Sequence, residues 1–131
     1  MFKKKKYEIV RQPFSKALID FIFKYFLLQR DAVAYLLREN KINAFNPFIG
    51  NFEEKQVPDC YAKYGDWAMD TFSKGALPLM EQKTGLKLVP TFTYARAYTK
   101  GNILWRHSDR DSCEVSTTIN LGGDPWPIFM D

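Results

Sequence analysis

One histidine, His107, and two cysteines, Cys60 and Cys113, are all the imidazole and thiol in this 131-residue chain. Two cysteines without a secretory signal exclude a disulfide-stapled scaffold and point to a reducing compartment. Glycine and proline are sparse, seven of each, which excludes collagen-like and low-complexity classes. No apolar run is long enough to span a bilayer, because the most apolar stretch, Ile19 to Leu28, is broken by Asp20 and Lys24. Lys3 to Lys6 ahead of it imitate a signal peptide, yet those interior charges interrupt the stretch and no small-residue cleavage site follows. The expectation is a chain with no targeting segment, cytoplasmic (host cytoplasm if the source is viral) and without a membrane partner. What the sequence does hold is bulk: 46% hydrophobic and 16% aromatic residues against 26% charged. That composition forms a core, and the length fits a single domain over residues 1–131.

Charge is unevenly spread. The net is +4, but residues 1–41 hold ten basic and four acidic side chains, whereas residues 42–131 hold nine and eleven. A basic N-terminal arm can touch a polyanion through non-specific electrostatics. A solvated lysine run at a frayed terminus has the same composition. No base-reading motif accompanies it, so nucleic acid is not an expected partner.

Tyr7 to Gln12 alternates weakly, as a short strand would. Pro13-Phe14-Ser15 then reads as a stop followed by an N-cap. From Lys16 to about Arg38 there is no Gly or Pro, and Leu18, Phe21, Ile22, Tyr25, Phe26 and Leu36 recur at helical spacing; the polar Gln29-Arg30-Asp31 patch is a place to divide this into two helices. Residues 43–58 read as a loop. A second helical stretch is expected from Asp59 to about Thr84, with Gly75 and Pro78 marking a break and Gly85 as C-cap. Leu86 to Tyr98 then alternates, placing Phe92, Tyr94, Arg96 and Tyr98 on one face. Thr99 to Asn102 is a turn, Ile103 to His107 and Glu114 to Leu121 are strands, Gly122 to Pro125 is a turn, and Trp126 to Asp131 is a last strand. Helices first and strands after predict an α+β fold: a mainly helical support region over residues 1–85, packed on a mainly antiparallel sheet over residues 86–131.

The chemistry concentrates in His107-Ser108-Asp109. On extended backbone, residues two apart point to the same side, roughly 6.5 Å apart, so an imidazole and a carboxylate can lean toward one cation. They supply two corners of the two-His, one-carboxylate triad that holds non-haem Fe(II) with open positions. H-x-D alone recurs by chance, and a surface histidine beside a solvated aspartate is the plain alternative.

The surroundings are more specific. The run YTKGNILWRHSD, Tyr98 to Asp109, resembles the strand–turn–strand entry of the Fe(II)/2-oxoglutarate-dependent oxygenases of the prolyl-4-hydroxylase-like branch. The longer string PTFTYARAYTKGNILWRHSDRDSCEVSTTINLGG, Pro90 to Gly123, followed by Pro125-Trp126-Pro127-Ile128, is similar to short members of that branch common in marine phage and bacterial genomes. So is YGDWAMDTFSKGALPLMEQKTG, Tyr64 to Gly85. The likeness covers about residues 59–131.

The resemblance implies a double-stranded β-helix (a cupin-like jelly roll) and a hydroxylase-type dioxygenase that uses Fe(II) and 2-oxoglutarate, with ascorbate as reductant. His107 and Asp109 would be metal ligands, and Tyr98 a hydrogen-bond partner of the 2-oxoacid. Arg96, on the same face as Tyr94, would oppose a carboxylate or else pair with Glu114 or Asp111. Thr118 and Asn120 alternate together and either line the pocket or face solvent. Trp105 and Trp126 read as core or lid residues, and Cys113 as a small buried one. Partners would be the small-molecule cosubstrate and a substrate of unknown kind.

The sequence departs from the family in one respect. The family completes its triad with a second His on a late strand, followed about ten residues on by a basic residue for the far carboxylate of 2-oxoglutarate. This sequence has no second His, and about five strands are counted where a jelly roll has about eight. The catalytic domain is therefore expected to be incomplete at its C-terminal side and inactive or weakly active alone. Its open strand edges would suit a second chain that completes the sheet. The other class of reading is a non-catalytic binding or assembly module that keeps the scaffold and uses its basic N-terminal arm. A zinc site from His107, Cys113 and an acidic residue matches no structural zinc spacing.

Overall fold

The computed structural model describes residues 2–44, 46 and 48–130. Five elements follow in order: α1 (Phe2–Lys5), α2 (Lys16–Arg38), β1 (Tyr61–Tyr64), α3 (Trp67–Thr84) and β2 (Tyr94–Ala97). The fold is α+β, with two long helices beside a small antiparallel sheet. No helix among the described residues is long and apolar enough to cross a membrane.

α2 begins where Ser15 caps it, its hydroxyl accepting from the Leu18 N–H at 3.2 Å. It runs unbroken through Gln29-Arg30-Asp31, because Ile22, Phe26 and Val33 anchor one stripe in the core on both sides of that polar patch. α3 also runs unbroken, through Gly75 and Pro78, between an Asp66 N-cap and Gly85 at φ 69°. Proline removes one hydrogen bond from a helix interior, but burial of Met69 and Ala76 and the two caps hold the rest.

The expected helix from Asp59 starts too early. Residues 61–64 are β1, paired with β2 in the register Tyr61↔Ala97, Ala62↔Arg96, Lys63↔Ala95, Tyr64↔Tyr94. Tyr61 and Ala62 are both buried, so this strand lacks the alternation by which strands are recognised. Gly50 brings the preceding loop onto it through the bridge Asn51↔Ala62. At Gly50, with φ 76°, a Cβ would lie 2.6 Å from the Ala62 carbonyl oxygen, so only glycine fits there.

The core joins Ile22, Phe26 and Val33 of α2 to Tyr61 and Met69, with Phe52, Phe72, Ala97 and Leu121 packed around them. Aromatic packing is dense here: Tyr61 has Phe26 and Phe52 at 5.3 and 5.0 Å between ring centroids.

The expected strands at 7–12, 103–107, 114–121 and 126–130 do not form, and Asp131 lies outside the described residues. Strand structure requires a hydrogen-bonded neighbour as well as alternation, and β2 has its partner in β1, inside the stretch expected to be helical. Residues 98–130 run instead as irregular chain that touches the helices in places. Gly122 seats against the Phe23 ring, where a Cβ would come within 2.9 Å, and the Thr117 hydroxyl donates to Met80 Sδ at 2.9 Å.

Candidate functional site

The segment carrying His107 and Asp109 leaves β2 through the expected turn at Thr99 to Asn102. Asn102 N–H donates to the Thr99 carbonyl at 3.0 Å, and the Asn102 side chain accepts from Thr99 N–H at 2.7 Å. The same side chain donates to the Pro58 carbonyl at 3.2 Å, which ties the turn to the loop before β1. Beyond the pair, the Arg110 guanidinium lies over the Phe92 ring at 4.9 Å, and Phe92 stacks on Tyr64 of β1. The H-x-D triplet is thus held at both ends to the sheet.

Between these anchors the two side chains converge. His107 Nε2 lies 3.5 Å from Asp109 Oδ1. The other ring nitrogen, Nδ1, is 2.8 Å from the Trp105 carbonyl oxygen. A carbonyl only accepts, so Nδ1 carries the proton, which leaves Nε2 as the ring atom facing Asp109. Asp109 is oriented from behind, where the Ser116 hydroxyl donates to Oδ2 at 2.8 Å and leaves Oδ1 facing the imidazole. Outer-sphere partners at metal centres fix the remote atom of a ligand in this way.

A divalent ion with bonds of about 2.0–2.2 Å holds neighbouring donor atoms roughly 3.0–3.5 Å apart, so the pair fits as a two-point grip. Among the described residues no group of three or more His, Cys, Asp and Glu side chains could hold a metal ion. The side chains of His107 and Asp109 are 38% and 51% exposed, open to solvent or to another chain.

Arg96 and Tyr98 lie apart from that pair, on and beside β2. Arg96 pairs with neither Glu114 nor Asp111; it donates to Glu54 Oε2 at 3.3 Å and to Gln56 Oε1 at 2.5 Å and lies over the Tyr94 ring at 4.5 Å. The loop before β1 folds back on β2 and supplies those acceptors locally, with Glu54 itself held by donors from Gln56 and Val57 N–H. Burial works against the charge of Arg96, but the Tyr98 hydroxyl and the Glu54 carboxylate outweigh it and raise its pKa. Tyr98 is half-buried and stacks on Trp126 at 4.7 Å. Trp105 is exposed rather than core, because it follows a turn whose strand has no partner; Cys113 is half-buried. Thr118 and Asn120 are exposed, and the Asn120 side chain accepts from Gly122 N–H. No hydrogen bond or ion pair among the described residues links His107 or Asp109 to Arg96, Tyr98 or Thr118. A cavity of about 430 Å³ lies between Pro58-Asp59 and the turn, with Trp105 on its rim.

Sequence reasoning missed Asp66, whose side chain accepts four hydrogen bonds. It is buried and accepts from Ala68 and Met69 N–H, from the Tyr25 hydroxyl at 2.9 Å and from Lys63 Nζ at 3.2 Å. Burial pushes its carboxyl up, but the Met69 N–H, the Tyr25 hydroxyl and the Lys63 ammonium outweigh that and hold it below the ordinary carboxylate value. Gly65-Asp66 ahead of an apolar run was the available N-cap signal. Compared with protein-family models, curated proteins and solved structures, the chain matches none.

Proposed function

We propose that the chain is the N-terminal part of the catalytic domain of an Fe(II)- and 2-oxoglutarate-dependent dioxygenase of the prolyl-4-hydroxylase-like branch, carrying two of its three metal ligands. The observation that supports this is the arrangement of His107: Nδ1 is committed to the Trp105 carbonyl, and Nε2 faces Asp109 Oδ1 at 3.5 Å. With it goes the motif context from Tyr98 to Asp109. Bound between these residues, Fe(II) would supply oxidative decarboxylation of 2-oxoglutarate to succinate and CO₂, one oxygen atom of O₂ entering succinate and the other a C–H bond of the substrate. The chain's own part is to fix the ligand tautomer, orient Asp109 through Ser116, and offer Tyr98 to the 2-oxoacid. Arg96 would serve a carboxylate only by exchanging its bonds to Glu54 and Gln56, and Thr118 would join the pocket only when its segment pairs as a strand. In this reading β1 and β2 are the first pair of a double-stranded β-helix, and residues 103–107 and 114–121 become strands when partner edges are supplied.

The test joins these 131 residues to a segment carrying a histidine and, about ten positions later, a basic residue, the two groups a complete iron site of this type needs. Given Fe(II), 2-oxoglutarate and ascorbate, the extended protein makes succinate and its His107→Ala variant makes none, while the present chain alone makes little. An extended protein that makes none refutes the reading.

The second reading, a non-catalytic binding or assembly module, is favoured by the missing third ligand among the described residues and by the exposed Lys3, Lys4 and Lys5 on α1. Metal-independent binding to a polyanion that falls steeply with salt would support it, and salt-insensitive behaviour would count against it.

A further inference from the structure

The longest helix carries an apolar stripe that the fold leaves bare. The core takes Ile22, Phe26 and Val33 of α2. A second line, Leu18, Phe21, Tyr25, Leu28, Ala32 and Tyr35, advances by three and four residues alternately and sits about 110° around the helix from the first. Leu18 is 41% exposed, Phe21 67%, Leu28 70% and Tyr35 52%; Ala32 is exposed, and Tyr25 is partly turned in toward Asp66. Scattered apolar surface residues need no explanation, but a contiguous line does. Its alternating steps of three and four residues are those of the a/d seam between two paired helices.

We propose that this stripe pairs with the same stripe of a second copy, α2 against α2, antiparallel about a two-fold axis. The charges beside it select that occupant. Lys24 and Asp31 are exposed on the stripe's outer edge, seven residues apart and opposite in sign. Among the described residues Lys24 makes no ion pair, and Asp31 has only its neighbour Arg30. An antiparallel pairing that sets Tyr25 against Leu28 of the other copy brings each Lys24 beside the other copy's Asp31, twice over by symmetry. A parallel pairing sets Lys24 beside Gln29 and Asp31 beside Leu36, where no charge is met.

The antiparallel register also matches large to small, with Phe21 against Ala32. It carries Tyr35 of each copy to Leu18, at a groove of about 430 Å³ between α2 and α3. Phe14 and Phe72 line that groove, and Gly75 adds no side chain to obstruct it.

Sedimentation equilibrium on the full chain, from micromolar to near-millimolar concentration, tests the pairing. The chain dimerises reversibly, and Leu28→Glu leaves a monomer with unchanged helical circular dichroism. Lys24→Glu and Asp31→Lys each weaken the dimer about fivefold, because each converts two attractive contacts into two repulsive ones. The double variant K24E/D31K returns to within about twofold of wild type. All three positions are exposed, so folding is not at stake. A monomer throughout, as when some other partner covers this face, overturns the proposal, as does a dimer indifferent to Leu28→Glu. Charge-swap penalties that add in the double variant overturn the antiparallel pairing.

Discussion

Replacing Asp66 by alanine removes three things at once: the N-cap of α3, the acceptor of the Tyr25 hydroxyl, and the partner of a Lys63 ammonium whose side chain is only 12% exposed. The cap is worth about 1 kcal/mol. A half-buried hydroxyl stripped of its acceptor adds about 1 kcal/mol or more, and breaking an ion pair this sheltered from one side brings the sum to roughly 3–5 kcal/mol. Asp66→Asn keeps an acceptor oxygen for the cap, but its NH2 group replaces the Oδ2 that accepts from Tyr25 and Lys63, so about 2–3 kcal/mol is expected. Urea denaturation followed by far-ultraviolet circular dichroism measures both; the midpoint moves and the slope stays constant. The carboxyl of Asp66 is held below its ordinary value, so its contribution is complete above the unfolded-state pKa of about 3.9 and disappears as pH falls through the lower native value. Wild type therefore loses stability more steeply than Asp66→Asn on acidification below about pH 4. An Asp66→Ala variant within about 1 kcal/mol of wild type, or identical acid profiles for wild type and Asp66→Asn, would refute this reasoning.

Two further predictions concern the same core. Gly50→Ala meets both a positive φ and the Ala62 carbonyl; it should cost about 2–4 kcal/mol in the same urea assay, and a loss under about 0.5 kcal/mol would contradict the close approach. Tyr25 and Tyr61 are both pushed up to about 12, first by burial and then by the Asp66 carboxylate. The unfolded chain ionises its phenols first, near pH 10, so stability drains between about 10 and 12. The phenolate absorbance should show a late step coincident with alkaline unfolding and smaller in Tyr25→Phe. A single step complete near pH 10 would contradict the burial.

How much of this was legible in the sequence depends on where the deciding forces lie. Ser15, Gly85 and the uninterrupted apolar spacing of residues 16–38 act within one or two turns, so both caps and α2 could be read directly. β1 could not: Tyr61 and Ala62 are buried together, and the partner that makes them a strand lies more than thirty residues away. The strands expected after Tyr98 have suitable composition, but pairing is a property of neighbours, and the neighbour β1 carries no local strand pattern. At the candidate site, the convergence of His107 and Asp109 follows from their spacing. The Trp105 carbonyl that holds the imidazole is only two residues away, whereas the Ser116 hydroxyl reaches Asp109 across the turn at residues 110–113, whose Cys113 N–H donates to the Arg110 carbonyl. The bonds of Arg96 to Glu54 and Gln56 cross forty residues, beyond any local pattern.

Nuclear magnetic resonance during titration with substoichiometric Mn(II) is the most direct test of the two-point grip. If His107 and Asp109 hold a divalent ion, the signals of residues 105–109 and of Ser116 broaden first, and His107→Ala abolishes that preference while the fold persists. Broadening spread evenly over exposed carboxylates such as Glu53 and Asp59, unchanged by His107→Ala, would contradict it.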